Sequence, residues 1–278
     1  MILISGAGGH LGRLVAERLA HRDDVVLGTR DPNGSGAAAR RIDFDDPATL
    51  GPGFDEVTTL LLISAGYAED DVVIRRHGAA IDAAERAGVR TIVYTSLSAA
   101  GDHLTYALAH RWTERRLSRS PIPSVVLRNG LYTELLLDLT APGDDGVITA
   151  PLGTGRLAAV AREDLADVAA RVTADAPVHA GRTYELVGTE AIGAEEVAAQ
   201  LSQVRGRPVT YRPATLAETR TALEADPAFQ SFQVPMVCST YSAIAGGFLA
   251  ETGGDLPELL GRPPRPLSAV RHAALAAG

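Results

Sequence analysis

The chain has no lysine, and all 26 of its basic residues are arginine. Chemistry that needs a lysine amine, such as a Schiff base or the lysine of a tyrosine–lysine proton-transfer pair, is therefore excluded. Cys238 is the only cysteine, so neither an intramolecular disulfide nor a cysteine-rich metal site can form within the chain. A buried structural thiol is the expectation for it. No apolar run approaches the roughly 18 residues of a membrane span. No leader of charged, apolar and small residues precedes the first strand-like run, and the expected location is cytoplasmic. Acidic residues outnumber basic ones by 34 to 26, a net charge of −8, so phosphates would meet an acidic field and nucleic acid is not expected as a direct partner. The seven histidines form no pairs at metal-ligand spacing on a helix, and a metal is not expected. His103 and His110 are seven residues apart and could share a face, but two ligands do not make a site. A hydrolase triad has no support, because there is no Gly-x-Ser-x-Gly elbow.

What is present is an alternation. Ile2-Leu3-Ile4 reads as a short buried strand, followed by Leu11, Leu14, Val15 and Leu19 at helical spacing. Val25-Val26-Leu27 reads as a second strand closed by Gly28, then a polar loop, then a third strand from Thr58 to Ile63. Ile74, Gly78, Ile81 and Ala84 mark one face of a helix that Gly88 ends, and the acidic run Glu69-Asp70-Asp71 caps or precedes it. Strands at Thr91 to Thr95 and Ser124 to Leu127 flank a helix from about Tyr106 to Leu117. A helix around Glu163 to Val172, a strand at Thr183 to Val187 and a helix around Ala194 to Val204 follow. From Gly206 the chain reads as short elements broken by Pro208, Pro213 and Pro263-Pro264.

Continuously apolar strands alternating with helices predict an α/β fold, a doubly wound parallel sheet covered on both faces. Residues 1–130, with about 155–188 returning to them, form its first domain, and 131–278 form mostly a smaller C-terminal α/β lobe.

The turn after the first strand is Gly6-x-x-Gly9-x-x-Gly12, with Gly8 added. Glycine accepts positive φ where a strand turns sharply into a helix. Its missing side chain lets a pyrophosphate approach the backbone, and the free N–H groups at the helix start face the anion. A glycine triplet alone is a weak signal, but here it has the strand–turn–helix–strand context that a dinucleotide fingerprint requires. The end of the second strand selects the cofactor. A carboxylate there favours NAD, whereas this chain has Thr29-Arg30, and Arg30 can form paired hydrogen bonds to the extra phosphate of NADP.

Several runs then carry a resemblance: ISGAGGHLG, LLLIS, YTSLSAAG, HRWTERRL and VVLRNGLYTE, in that order, with GRLAAVAREDLADVAARV and TYELVG later. The chain resembles the NmrA-like proteins, atypical members of the short-chain dehydrogenase/reductase superfamily. It is most similar to their bacterial flavin-free NADPH:quinone oxidoreductase branch, with the triphenylmethane reductases nearby. The likeness covers nearly the whole chain and weakens after about Arg212.

The resemblance implies an NADP-binding Rossmann domain and a small C-terminal substrate lobe. It implies that Gly6, Gly9, His10, Leu11 and Gly12 line the pyrophosphate and that Arg30 meets the adenosine phosphate. Asp43 and Phe44 would sit beside the adenine, Ser64, Ala65 and Gly66 beside the ribose, and Thr95 and Ser96 near the nicotinamide. Asn129, Gly130 and Tyr132 would form the floor of the substrate cleft. NADP(H) is the implied cofactor, without flavin or metal. The implied partner is a small quinone-like molecule, and a homodimer is possible.

Typical members of the superfamily use a Tyr-x-x-x-Lys pair. This chain has Tyr106-Ala-Leu-Ala-His110 in what looks like that place, a spacing that puts both side chains on one helix face. His110 could orient the ribose or, if protonated, stabilise a tyrosinate, and Tyr106 could donate a proton. A quinone tolerates such a weakened pair, because the hydroquinone anion can take its proton from water. The expected function is thus an NADPH-dependent reductase of a quinone or similar conjugated acceptor, with His110, Asn129 and Tyr106 as the candidate catalytic residues. A non-catalytic NADP-binding redox sensor of the NmrA type is the alternative. A nucleotide-sugar epimerase is a weaker one, resting on fold analogy alone. Arg115 and Arg116 read as a solvated helix face. Trp112 could pack at a subunit contact or under a loop. Phe229, Phe232, Met236 and Tyr241 read as core or as a quinone slot.

Overall fold

The structure is a computed structural model and describes residues 1–33, 38–65 and 68–270. The elements in chain order are β1 (Ile2–Ile4), α1 (His10–Leu19), β2 (Val25–Thr29), β3 (Ala39–Arg41), α2 (Leu50–Gly53), β4 (Thr59–Leu62), α3 (Asp70–Ala87), β5 (Thr91–Leu97), α4 (Ala107–Ser118) and β6 (Ser124–Asn129). They continue with α5 (Thr133–Leu139), β7 (Val147–Ala150), β8 (Arg156–Leu157), α6 (Arg162–Ala174), α7 (Ala176–His179), β9 (Thr183–Leu186), β10 (Ile192–Gly193), α8 (Ala194–Arg205), β11 (Thr210–Pro213), α9 (Leu216–Ala225), α10 (Gln233–Ala245) and α11 (Leu256–Leu260).

Two compact units result. The first comprises Met1–Leu97, Leu108–Asn129 and Glu163–Glu185, and the second comprises Ser98–Ala107, Gly130–Arg162 and the chain from Leu186 onward.

The first unit is built on a seven-stranded sheet of order β3-β2-β1-β4-β5-β6-β9. β1 to β6 pair in parallel, with Ile4 opposite both Leu27 and Leu61. The apolar runs explain this directly. Leu3, Ile4, Leu60, Leu61, Leu62, Ile92 and Val93 are fully buried, as strands covered on both faces must be. Each such side chain contributes about 1.5–3 kcal/mol of burial energy. One side of the sheet packs Leu3, Leu60, Leu62, Ile92 and Tyr94 against Ala80, Ile81 and Ala84 of α3 and Leu117 of α4. The order reverses between β1 and β4, so the crevice beyond their carboxyl ends is the topological switch point at which open α/β sheets bind ligands. This is a Rossmann-type architecture.

Several local expectations change. Gly28 lies inside β2 rather than closing it, and its missing Cβ leaves room for Ile42, whose Cγ1 would sit 3.0 Å from such an atom. The loop after β2 contains β3, an edge strand of Ala39, Arg40 and Arg41 held by backbone pairing to β2. Arg116 is not a solvated charge, since it pairs with Glu85 at 2.9 Å and Asp82 at 2.7 Å and so links α4 to α3. The Trp112 ring lies against Gly78, with its Cζ3 and Cη2 atoms filling the space a Cβ would enter there. Arg18 of α1 pairs with Glu163 and Asp167 of α6.

The second unit holds two small sheets, β7–β11 in parallel and β8–β10 antiparallel. Cys238 is half-buried on α10 rather than fully enclosed. Tyr241 on the same helix is buried and donates its hydroxyl to the Leu139 carbonyl at 3.0 Å, a core role. Among the described residues, no helix is long and apolar enough to cross a membrane.

Candidate functional site

The sharp turn after β1 is made at Gly6, which has φ +61°, a conformation that favours glycine. Ala7 N–H then bonds the Gly28 carbonyl at 3.1 Å, which anchors the turn to β2. Gly9 stands at the N-cap of α1, no side chain caps that helix, and no acidic residue lies in its first turn. The positive end of the helix dipole at His10, Leu11 and Gly12 thus has no acidic counter-charge from its own first turn. A Cβ on Gly12 would sit 2.2 Å from the Gly6 carbonyl oxygen, so only glycine lets α1 begin this close to the turn.

The chain leaving β4 has the opposite character. Three successive backbone N–H groups are each taken by a side chain. Ile63 donates to Ser5 Oγ at 2.9 Å, Ser64 to Thr95 Oγ1 at 3.0 Å, and Ala65 to His77 Nε2 at 3.0 Å. Gly66 lies outside the described residues. Thr95 is thus committed to holding Ser64 in place. Ser96, at the same strand end, donates its hydroxyl to Glu114 Oε1 at 2.6 Å and is likewise turned to a protein partner. Burial opposes the charge on Glu114, but hydrogen bonds from Arg128 and Ser96 and the charge of Arg111 outweigh it and hold the carboxyl below its usual range. Arg128 continues to Glu185 at 3.1 Å, so a chain of ion pairs ties α4, β6 and β9 together.

At the adenosine side, Arg30 is exposed at the end of β2. Asp43 accepts from Asp45 N–H at 3.1 Å, and Phe44 packs partly against the core. Asp45 is gripped by both arms of Arg76 at 2.8 and 2.6 Å, and that hydrogen-bonded cation holds its carboxyl below the ordinary value.

At the far end, Asn129 closes β6. Its Oδ1 is buried and has no hydrogen-bond partner among the described residues. Unpaired buried oxygens are uncommon, and one at the carboxyl end of a parallel sheet is free to accept from a bound molecule. The residues therefore fit a dinucleotide on two independent observations: the uncapped start of α1, with no acidic residue in its first turn, and the orphan oxygen of Asn129.

Tyr106 and His110 each have a partner of their own. α4 begins at Ala107, so Tyr106 precedes the helix and belongs to the second unit. There Thr240 Oγ1 donates to the Met236 carbonyl at 3.0 Å, which leaves the Tyr106 hydroxyl to donate to Thr240 at 3.2 Å. Burial pushes the Tyr106 phenol up to about 12. Its proton is committed and weakly acidic. His110 in the first unit pairs through Nδ1 with the buried Tyr94 hydroxyl at 2.9 Å. Burial and the nearby Arg111 charge lower its pKa to about 4, so the ring is neutral near pH 7 and does not supply an imidazolium for a tyrosinate.

Gly130 and Tyr132 lie in the second unit. Gly130 N–H bonds the Leu186 carbonyl at 2.8 Å, and a Cβ there would meet that oxygen at 3.0 Å. The Tyr132 ring is covered by the Arg162 guanidinium 4.7 Å from its centroid, and burial raises its phenol.

Sequence reasoning missed His77. The buried stripe of α3 runs through Val73, His77, Ala80, Ile81 and Ala84, not through Ile74 and Gly78. Counting His77 as an apolar-face position at four-residue spacing from Val73 and Ile81 would have exposed it.

The chain matches the NAD(P)H-binding family over residues 6–176. It is 34% identical to quinone oxidoreductase 2 of Escherichia coli (strain K12), covering 98% of this chain and 98% of that protein. The structure of an E. coli NADPH-dependent quinone oxidoreductase complexed with NADPH superposes with a TM-score of 0.88 at 33% identity, over 99% of this chain and 100% of that one. The triphenylmethane reductase of Citrobacter sp., complexed with NADP(H), gives a TM-score of 0.88 at 29% identity, over 98% and 99%.

Proposed function

Because the chain belongs to the NAD(P)H-binding family, we propose that it is an NADPH-dependent reductase that passes hydride to a quinone or a similar conjugated acceptor. The observation that carries this reading is the full-length likeness to an NADPH-dependent quinone oxidoreductase, at an identity of 34%. The site geometry supports it. Gly6, Gly9, His10, Leu11 and Gly12 hold the pyrophosphate on an uncapped helix start. Arg30 takes the adenosine phosphate, with Asp43 and Phe44 beside the adenine. Ser64 and Ala65 run past the ribose, and Thr95 and Ser96 shape the strand end behind the nicotinamide. Bound NADPH supplies the hydride, and no flavin or metal takes part.

The chain's own contribution is alignment and exclusion of side reactions. The Asn129 Oδ1 orients a bound N–H or O–H group, and Gly130 and Tyr132 of the second unit shape acceptor choice. Neither Tyr106, whose hydroxyl serves Thr240, nor neutral His110 is a ready acid near pH 7. The acceptor must therefore be one whose reduced anion is stable enough to collect its proton from water. Quinones meet this condition and simple ketones do not. The test is steady-state NADPH consumption with and without benzoquinone or naphthoquinone, with NADH in parallel. Acceptor-dependent consumption faster with NADPH is expected, and equal background rates in all arms would overturn the proposal.

A further inference from the structure

We propose that His77 is a positioning residue that locks the cofactor-side segment after β4 to the helix carrying His110. The inference rests on the NADPH-binding reading above.

The parallel ladder ends at Leu62, and beyond it the backbone donors need other partners. Ser5 and Thr95, which serve Ile63 and Ser64, come from strands already in the sheet. Ala65 is different, because its N–H reaches an imidazole on α3. A backbone N–H can only donate, so Nε2 of His77 must be the lone-pair nitrogen and the ring proton must sit on Nδ1. That nitrogen faces Thr113 Oγ1 at 2.8 Å, and the Thr113 hydroxyl in turn donates to the Ala109 carbonyl at 2.8 Å. The relay Ala65–His77–Thr113–Ala109 is therefore polar in one direction, with every donor and acceptor used. It ends on the residue before His110. The edge of the His77 ring also meets the Tyr94 ring, at 5.5 Å between centroids and 74° between planes, and Tyr94 is the partner of His110. One fully buried side chain thus sets the distance between the ribose-side segment and His110.

A leucine at 77 would fill the volume but leave Ala65 N–H without its acceptor and take from Thr113 Oγ1 the N–H it accepts. A glutamine keeps an acceptor for Ala65. We expect His77→Leu to raise the NADPH dissociation constant and the KM for NADPH about tenfold while kcat changes less than about twofold, and His77→Gln to recover to within about threefold of wild type. Thr113→Val, which leaves the Nδ1 proton without its acceptor and so sets it against the Ala65 bond, should raise the dissociation constant about two- to fivefold.

In the wild-type protein, imidazole nitrogen shifts should show His77 neutral with its proton on Nδ1 throughout pH 5 to 8. The proposal is overturned if His77→Leu binds NADPH within twofold of wild type. It is also overturned if Gln loses as much as Leu although both melt near wild type, or if the ring proton is found on Nε2. If His77→Leu does not fold, Thr113→Val and the nitrogen shifts decide. Wild-type protein that does not bind NADPH at all would instead sink the functional reading, and the dissociation constants separate the two failures.

Discussion

Two turns leave the same sheet at its switch point and use their backbone in opposite ways. After β1, the glycine turn leaves the start of α1 uncapped and uncharged, open to an anion. After β4, each of three successive N–H groups is held by Ser5, Thr95 or His77, so none is offered outward. The first turn is a binding surface made of backbone. The second is a fixed edge that defines where a bound molecule must lie. Recognition by backbone requires glycine, because any Cβ intrudes. A fixed edge requires specific acceptors brought from neighbouring strands and a helix.

The largest expected effect attacks the first turn. Gly12→Val should abolish measurable NADPH binding by fluorescence titration, since even a Cβ would lie 2.2 Å from the Gly6 oxygen and 2.9 Å from Ala7 Cα. The same overpacking should lower stability to urea by about 2 kcal/mol. Arg30→Ala should come next, raising the KM for NADPH by about tenfold or more while leaving that for NADH nearly unchanged, because a paired hydrogen bond to phosphate is lost in one case only. Asn129→Ala sharpens the comparison from the far strand end. With no partner on Oδ1 among the described residues to lose, its stability should fall by less than about 1 kcal/mol while kcat drops roughly tenfold. A variant that loses stability and keeps full activity would show Asn129 to be merely structural.

The pH dependence probes the fixed edge. Burial lowers His77 to about 3 and His110 to about 4, both below the ordinary imidazole value near 6.5. Between those values the unfolded chain binds more protons than the folded one. The stabilisation is therefore complete above pH about 6.5 and lost as pH falls, by up to about 1.4 kcal/mol per pH unit for each ring. Urea unfolding at pH 7 and pH 5 should show this slope, and His110→Gln should flatten part of it. The smallest effect belongs to Arg116→Ala, which removes partly exposed ion pairs to Glu85 and Asp82 and should cost about 1 kcal/mol without changing NADPH affinity.

The glycine turn and the strands at TTLLLI, TIVYT and SVVL were legible because their signals are local: a spacing that only backbone recognition demands, and runs too apolar for any exposed element. β3 was not. Its Ala-Arg-Arg sequence carries no burial signal, because this edge strand of three residues is held by backbone pairing to β2 and by polar contacts of its arginines rather than by apolar side chains. The site was legible as a set of positions but not as a set of roles. Nothing in the spacing of Ser96 and Glu114, 18 residues apart, says that the serine hydroxyl turns inward. The Tyr106–His110 spacing suggests a working pair, yet the Tyr106 hydroxyl is taken by Thr240 and the His110 Nδ1 by Tyr94. His77 stayed hidden because a histidine is not counted in an apolar stripe, although its burial is complete.

The most direct test of a hydride-transferring enzyme is a single-turnover reaction under anaerobic conditions with NADPH deuterated at either face of C4 and a naphthoquinone. The account predicts one quinone reduced per NADPH, with only one of the two deuterated forms slowing the transfer and no flavin in the protein. NADP(H) that raises the melting temperature while no quinone is reduced from either form would contradict it and leave a dinucleotide-binding sensor in its place.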